Sequence, residues 1–349
     1  MRVKIHPRQV LRWLWVNLLA GSGCLWWVKN RIRSQGAVIG LVFHRVLRDE
    51  DCQRTHSQPE IRVQERTFRE LAAYVARNYE AHDLHEVVPG ARSRKLKVVF
   101  TFDDGWWDNC AVALPITRAY NIPLTIFLCP HMVDKNMPFW PERAIALLHA
   151  SEPGCTAGQV AKLIEDLKRQ LPQAREQALA KLAEAAHQPW APSADVSVDR
   201  TLSWEQISEM DRAGVRFGSH THSHEILTNV PIDTARQQIE GTGAAIEQKL
   251  SKPCVAFSYP NGNWSETVRD VVATAGFKLA VTTDRKIWTT ETDPLAIPRS
   301  NVYEQDLVGL DGRFSAAMFE YVTIWKPWRR SKLKRRMPTP ALHKSMAKA

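Results

Sequence analysis

Two short segments hold the residues best suited to chemistry: Thr101-Phe102-Asp103-Asp104-Gly105, and Ser219-His220-Thr221-His222-Ser223-His224. The first sets two adjacent carboxylates at the end of an apolar run, Leu96–Phe102. Consecutive strand side chains point to opposite faces, so both Asp can serve one site only where the strand ends and the backbone turns. Gly105 supplies that turn. The second segment offers His220 and His224 at i, i+4, the spacing of a two-point metal site on one side of a helical turn. It too follows an apolar stretch, Val215–Phe217. One carboxylate and two imidazoles suffice for a hydrolytic metal centre, with the spare carboxylate as a base.

Each segment alone has a plainer reading. Asp-Asp-Gly can be a turn and helix cap, and the His can decorate a polar loop. Their joint position at strand ends favours the site, because chemistry on a parallel barrel collects there.

The chain resembles the carbohydrate esterase family 4 polysaccharide deacetylases, which share the nodulation-factor deacetylase homology domain. Phe100–Gly105 is similar to the family's first motif, His220–His224 to its second and Phe257–Gly262 to its third. The likeness runs from about Ala37 to Tyr303. It implies that Asp104, His220 and His224 hold a metal, usually Zn2+, and that Asp103 is the general base. It implies that the Tyr259 backbone N–H helps form an oxyanion hole. His222 matches no ligand position. Two family features are missing, an Arg in the third motif and a late Leu-x-His acid. Arg299, in Ile297-Pro298-Arg299-Ser300, stands as a replacement that orients the base. His44, in Val42-Phe43-His44-Arg45-Val46, resembles the N-terminal His of a branch in which that residue is the general acid. First and last strands of a barrel are neighbours, so that exchange is geometrically sensible. Asp284 is a further candidate, as a partner for a catalytic imidazole.

These residues need a scaffold of parallel strands. Apolar runs predict strands at Ala37–Phe43, Val98–Phe102, Leu124–Leu128, Val215–Gly218, Val255–Ser258, Leu279–Thr282 and Leu295–Ile297. Helical spacing is clear at Thr67–Asn78, where Phe68, Leu71, Ala72 and Val75 share a face. Another helix is expected over Trp106–Tyr120. The fold class is therefore α/β: a distorted seven-stranded (β/α) barrel spanning 37–325, the type the resemblance also implies. An insertion at about 131–203 is helical over Gln159–His187, with Phe139-Trp140 and Trp190 flanking it.

The net charge of +10 hides an asymmetry. Residues 1–36 carry seven Lys/Arg and no acid, and residues 326–349 carry nine and none, so the body between them is net −6. An acidic body excludes a specific nucleic-acid groove; basic ends suit an anionic membrane surface. Residues 1–36 are rich in Trp (13, 15, 26, 27), yet the apolar stretch Trp13–Val28 is short for a span and is broken by Gly-Ser-Gly. This reads as a membrane-associating helix or hairpin lying in the interface, with an uncleaved signal anchor, a signal peptide, or a helix packing its Trp on the barrel as alternatives. Residues 326–349 read as a basic disordered tail. Six scattered Cys without C-x-x-C read as reduced thiols. The expectation is a metal-dependent N-deacetylase of an N-acetylated glycan or glycolipid, such as lipopolysaccharide or O-antigen, at the inner bacterial membrane, on its cytoplasmic side. The alternatives are a glycan-binding pseudoenzyme and an amidase of a non-sugar amide.

Overall fold

A computed structural model describes residues 7–135, 137–187 and 198–334. Trp190, the insertion's second flanking aromatic, and residues 335–349 of the tail lie outside the described residues.

The described residues form ten strands: β1 (Val38–Phe43), β2 (Arg45–Leu47), β3 (Arg62–Gln64), β4 (Tyr79–His82), β5 (Leu96–Phe102), β6 (Leu124–Leu128), β7 (Arg216–Ser219), β8 (Ala256–Ser258), β9 (Leu279–Val281) and β10 (Ser300–Asn301). Seven form a curled parallel sheet in the order β10-β1-β5-β6-β7-β8-β9, and β4 adds to β5. β1, β5 and β6 are buried at every residue, as expected of parallel strands covered on both faces.

The sequence-predicted strands fall on the sheet with one exception. Leu295–Ile297 makes only a single bridge, Ile297 to Val281. The chain then crosses through Pro298 and Arg299 and pairs with β1 as β10. This crossing spans the gap between β9 and β1, so the barrel is distorted there. It lies so close to β1 that a Cβ on Gly40 would sit 2.7 Å from the Pro298 carbonyl oxygen and 3.1 Å from Arg299 Cγ. Short strands β2 and β3 pair separately.

The helix predicted at Thr67–Asn78 runs from Glu65 to Asn78, with Phe68, Leu71, Ala72 and Val75 all buried. Over Trp106–Tyr120 the helix is shorter: a π-type turn at Asn109–Ala113 leads into Leu114–Ala119. The described residues of the insertion include three helices, Trp140–Ser151, Ala157–Lys168 and Pro172–Ala185. They share a small core of Trp140, Ile145, Leu147, Ile164, Leu167 and Leu179.

The N-terminal segment is a helical hairpin, α1 (Pro7–Gly21) and α2 (Cys24–Ser34), turned at Gly23 with φ 76°. Val28 and Ile32 of α2 belong to the main core, so the hairpin shares the barrel's packing. The tail expected to be disordered is helical over Lys326–Lys334. It extends the Ala316–Trp325 helical segment, and Trp328 packs on Trp27 and Trp325.

Candidate active site

The ends of β5, β7 and β8 converge. Asp103 and Asp104 leave β5, His220 leaves β7, and the third motif leaves β8. The backbone turns sharply at Asp104 (φ 76°) and Gly105 (φ 73°). That left-handed pair is what lets both carboxylates face inward. The second motif is not a helical turn. Thr221 and His224 both have positive φ (67° and 66°), and the His224 amide donates to Thr221 Oγ1. The imidazoles still meet, with ring centroids 5.0 Å apart.

Asp104 Oδ1 lies 3.5 Å from His220 Nε2 and 3.3 Å from His224 Nε2. One ligand atom from each of the three residues falls within 4.8 Å of the others. Asp104 Oδ1 is buried with no hydrogen-bond partner, a costly arrangement unless something positive joins it. Its second oxygen accepts from Trp106 Nε1 at 2.9 Å. His220 Nδ1 meets the Ser258 carbonyl at 2.8 Å, which assigns the proton to Nδ1 and leaves the Nε2 lone pair for a metal. Burial pushes His224 down to about 4, so its imidazole is neutral near pH 7. Donor types, convergence and the orphaned carboxylate oxygen all fit a divalent metal, with zinc suited to this N/O set.

Asp103 is held differently. Arg299 donates to both its oxygens, Nη1 to Oδ1 at 2.8 Å and Nη2 to Oδ2 at 2.7 Å. Ser258 Oγ adds a 3.1 Å bond to Oδ2. Burial opposes ionisation, but the Arg299 guanidinium and then His220 outweigh it and hold the carboxyl well below its usual range. Arg299 is 1% exposed and also bonds Thr101 Oγ1 and the Thr282 carbonyl. It thus reaches Asp103 from the β9–β10 crossing, and Ser258 takes the adjacent position in the third motif.

His44 faces a cavity of about 110 Å³ that it shares with Asp104, His224, Trp106, Glu142 and Asn261. Its Nδ1 is buried and unpartnered. Two expected roles do not fit. The Tyr259 amide donates to the Val281 carbonyl at 3.1 Å. It is spent on the β8–β9 pairing and is not aimed at a substrate oxygen. Asp284 pairs with Lys286 at 2.6 Å on the surface, because a cation two residues away is nearer than any imidazole. His222 lies outside the cluster, against His131.

Several contributors carried no motif. Trp106 is 1% exposed and sits under Arg45, whose guanidinium lies 4.4 Å from the ring. Arg45 is itself buried, bonded to Asp108 at 2.9 Å and to Asp199. This network joins β2 to the far end of the insertion and fixes the indole that orients Asp104. The insertion also delivers Phe139, 5.4 Å from the His224 ring and 5.1 Å from Trp106. Trp140 and Glu142 complete that wall. An aromatic pair in an otherwise charged insertion was the only advance signal. Burial raises Glu142 to about 8.

Against known proteins, the family model described as polysaccharide deacetylase matches residues 90–280. No curated protein matches the chain. Among solved structures, the deacetylase PplD of Streptococcus pyogenes is similar at TM-score 0.52 and 18% identity, covering 76% of this chain and 92% of its own. A de-N-acetylase from Aggregatibacter actinomycetemcomitans gives 0.51 and 15%, with 79% and 98% covered. IcaB from Ammonifex degensii gives 0.50 and 18%, with 76% and 92% covered. At these identities the likeness is one of fold.

Proposed function

The chain belongs to the polysaccharide deacetylase family, hydrolases of N-acetyl amide bonds, and from that premise we propose a metal-dependent N-deacetylase of amino sugars in a bacterial surface glycan or its lipid-linked precursor. The observation that carries the metal dependence is the convergence of Asp104, His220 and His224 on a carboxylate oxygen with no other partner. A divalent metal bound there would supply Lewis-acid polarisation of the amide carbonyl and activation of water.

The chain's own groups do the rest. Asp103, held anionic by Arg299, accepts the proton of the attacking water. The bidentate grip fixes the carboxylate's orientation, and Ser258 removes its remaining freedom. His44, at the cavity wall, protonates the departing amine, so acetate and a free amino sugar result. Phe139 and Trp140 narrow the cavity and exclude water from the acyl group's surroundings. No covalent intermediate is required.

A lipid-linked glycan such as a lipopolysaccharide or O-antigen intermediate, met at the cytoplasmic face of the inner membrane, is the substrate setting supported by the basic chain ends and by six free thiols. The test is acetate release from host glycolipid by zinc-loaded protein and by Asp104→Ala, with bound metal quantified for each. Release by wild type alone, with metal content falling in the variant, is expected. Equal release by a variant that has lost its metal would sink the metal-dependent reading. Failure on every glycan by metal-replete protein would point instead to a non-sugar amide or a binding role.

A further inference from the structure

Among the described residues, most of the large exposed apolar side chains lie on the N-terminal hairpin. Leu11, Leu14, Trp15 and Leu18 stand at i, i+3, i+4 and i+7 on α1 and are 45–66% exposed. Trp26 and Trp27 of α2 are exposed by 68% and 50%. The other large exposed hydrophobics among the described residues are scattered, Val88 and Leu171 between elements and Ile232 at a helix start. The opposite side of the hairpin is already used: Val16, Leu19, Leu25, Val28 and Ile32 are buried. The hairpin therefore has two apolar faces, and only one meets protein.

The outward face is held firmly. Arg12 pairs with Asp306 at 2.6 Å, and Lys29 with Glu320 at 2.7 Å while lying over Tyr79. Arg33 donates to the carbonyls of Ser93 and Arg94. Trp27 meets Trp328 edge-on at 5.8 Å, which brings the basic C-terminal helix alongside. Arg31, Arg329 and Arg330 are exposed on these elements, and neither 1–36 nor 326–349 contains an acid.

From this juxtaposition we infer that α1, α2 and the C-terminal helix form a preassembled docking face for an anionic phospholipid bilayer. A Leu stripe flanked by Trp and rimmed by Arg matches the acyl, interfacial and headgroup layers in turn. Among the described residues no helix is long and apolar enough to cross a membrane, so α1 lies along the surface with its stripe inserted. The segments that form the face carry cations and no acid of their own, with Glu291 beside Arg31 the one acid lining their cleft, and this balance favours anionic phospholipid over a second copy of the chain. The face is remote in sequence from the metal ligands and stands independently of the hydrolase assignment.

The experiment is vesicle co-sedimentation of the full chain. Wild type should bind phosphatidylglycerol-containing vesicles, bind phosphatidylcholine vesicles weakly, and release with rising salt. Leu11→Glu/Leu14→Glu/Leu18→Glu should weaken binding at least about tenfold. Arg329→Glu/Arg330→Glu should weaken it by roughly tenfold and flatten the salt dependence. Neither should change the melting temperature or turnover of a soluble acetylated oligosaccharide. In wild type, lipids brominated in the acyl chain should quench tryptophan emission, less so in Trp15→Phe/Trp26→Phe. Wild type that ignores anionic vesicles overturns the inference. So does a dimer in light scattering that the Leu substitutions disperse while vesicle binding persists.

Discussion

Asp103 and Asp104 are neighbours in sequence and opposites in environment. Asp104 keeps an unpartnered oxygen beside two imidazoles, whereas both oxygens of Asp103 are taken by Arg299. The difference decides which can ligate and which can only exchange a proton. Arg299 holds the Asp103 carboxyl low, so its removal lets that pKa climb. Arg299→Met should cost about 10²-fold or more in kcat/KM and move the acidic limb of the pH profile to higher pH. A loss with the limb unmoved would reduce Arg299 to a packing role. Glu142 gives a stability prediction of the opposite sign. Its folded pKa, about 8, is above the ordinary carboxylate value of 4.5, so only the folded state keeps the proton between those limits. Stability present below pH 4.5 is thus lost as pH rises toward 8, by an amount on the order of a few kcal/mol. Glu142→Gln cannot titrate, and its melting temperature should gain on wild type steadily between pH 5 and 8. Parallel curves for the two proteins would contradict this.

Strand ends explain which of these groups were legible beforehand. Asp103, Asp104, His220 and His224 sit in two contiguous segments, each announced by a buried strand, and the sheet order alone brings β5 and β7 to the same rim. Arg299 was reachable for a related reason: it follows the last apolar run. The Tyr259 amide was misassigned because pairing register is invisible in one sequence, and register gives that N–H to Val281. The helical turn expected at His220–His224 failed because spacing fixes neighbours along the chain but not the sign of φ. Trp106, Glu142 and Phe139 depend on how the insertion folds back on the barrel, which no local pattern encodes. The crossing from β9 to β10 is the element with most leverage on the base. Gly40 makes room for it, and a methyl there would press on Pro298 and Arg299. Gly40→Ala should lower kcat/KM at least about tenfold, with KM little changed, because a small displacement of a positioning group is felt in the transition state. Wild-type kinetics in that variant would show that the crossing can yield without disturbing Asp103.

Over the whole molecule, the barrel and the hairpin share one core but present two different surfaces. The barrel rim and the insertion build a narrow, largely buried reaction site, and the hairpin with the C-terminal helix builds the broad amphipathic face. The sequence marked the first 36 residues as a separate basic, Trp-rich unit, and their composition is indeed unlike the barrel's. Packing erases that boundary. Val28 and Ile32 sit in the common core, and burying each contributes roughly 1.5–3 kcal/mol. Charge and aromatic content were legible because they are compositional. The alternation of inward Val16 and Leu19 with outward Leu14 and Leu18 was not, since a helix with apolar residues on two sides does not declare which stripe its partner takes.

The contact between Trp27 and Trp328 has a consequence for the order in which the protein is made. The hairpin is synthesised before the helix that clamps it, and Arg12 is separated by 294 residues from its partner Asp306. Contacts of such long sequence separation close slowly. Until that late segment emerges, the hairpin lacks Asp306, Glu320 and Trp328, the groups that hold its outward face in place. On the docking reading, the outward Leu stripe can therefore meet a bilayer before Arg299 has been synthesised, and attachment can precede the completion of the Asp103 and Asp104 site.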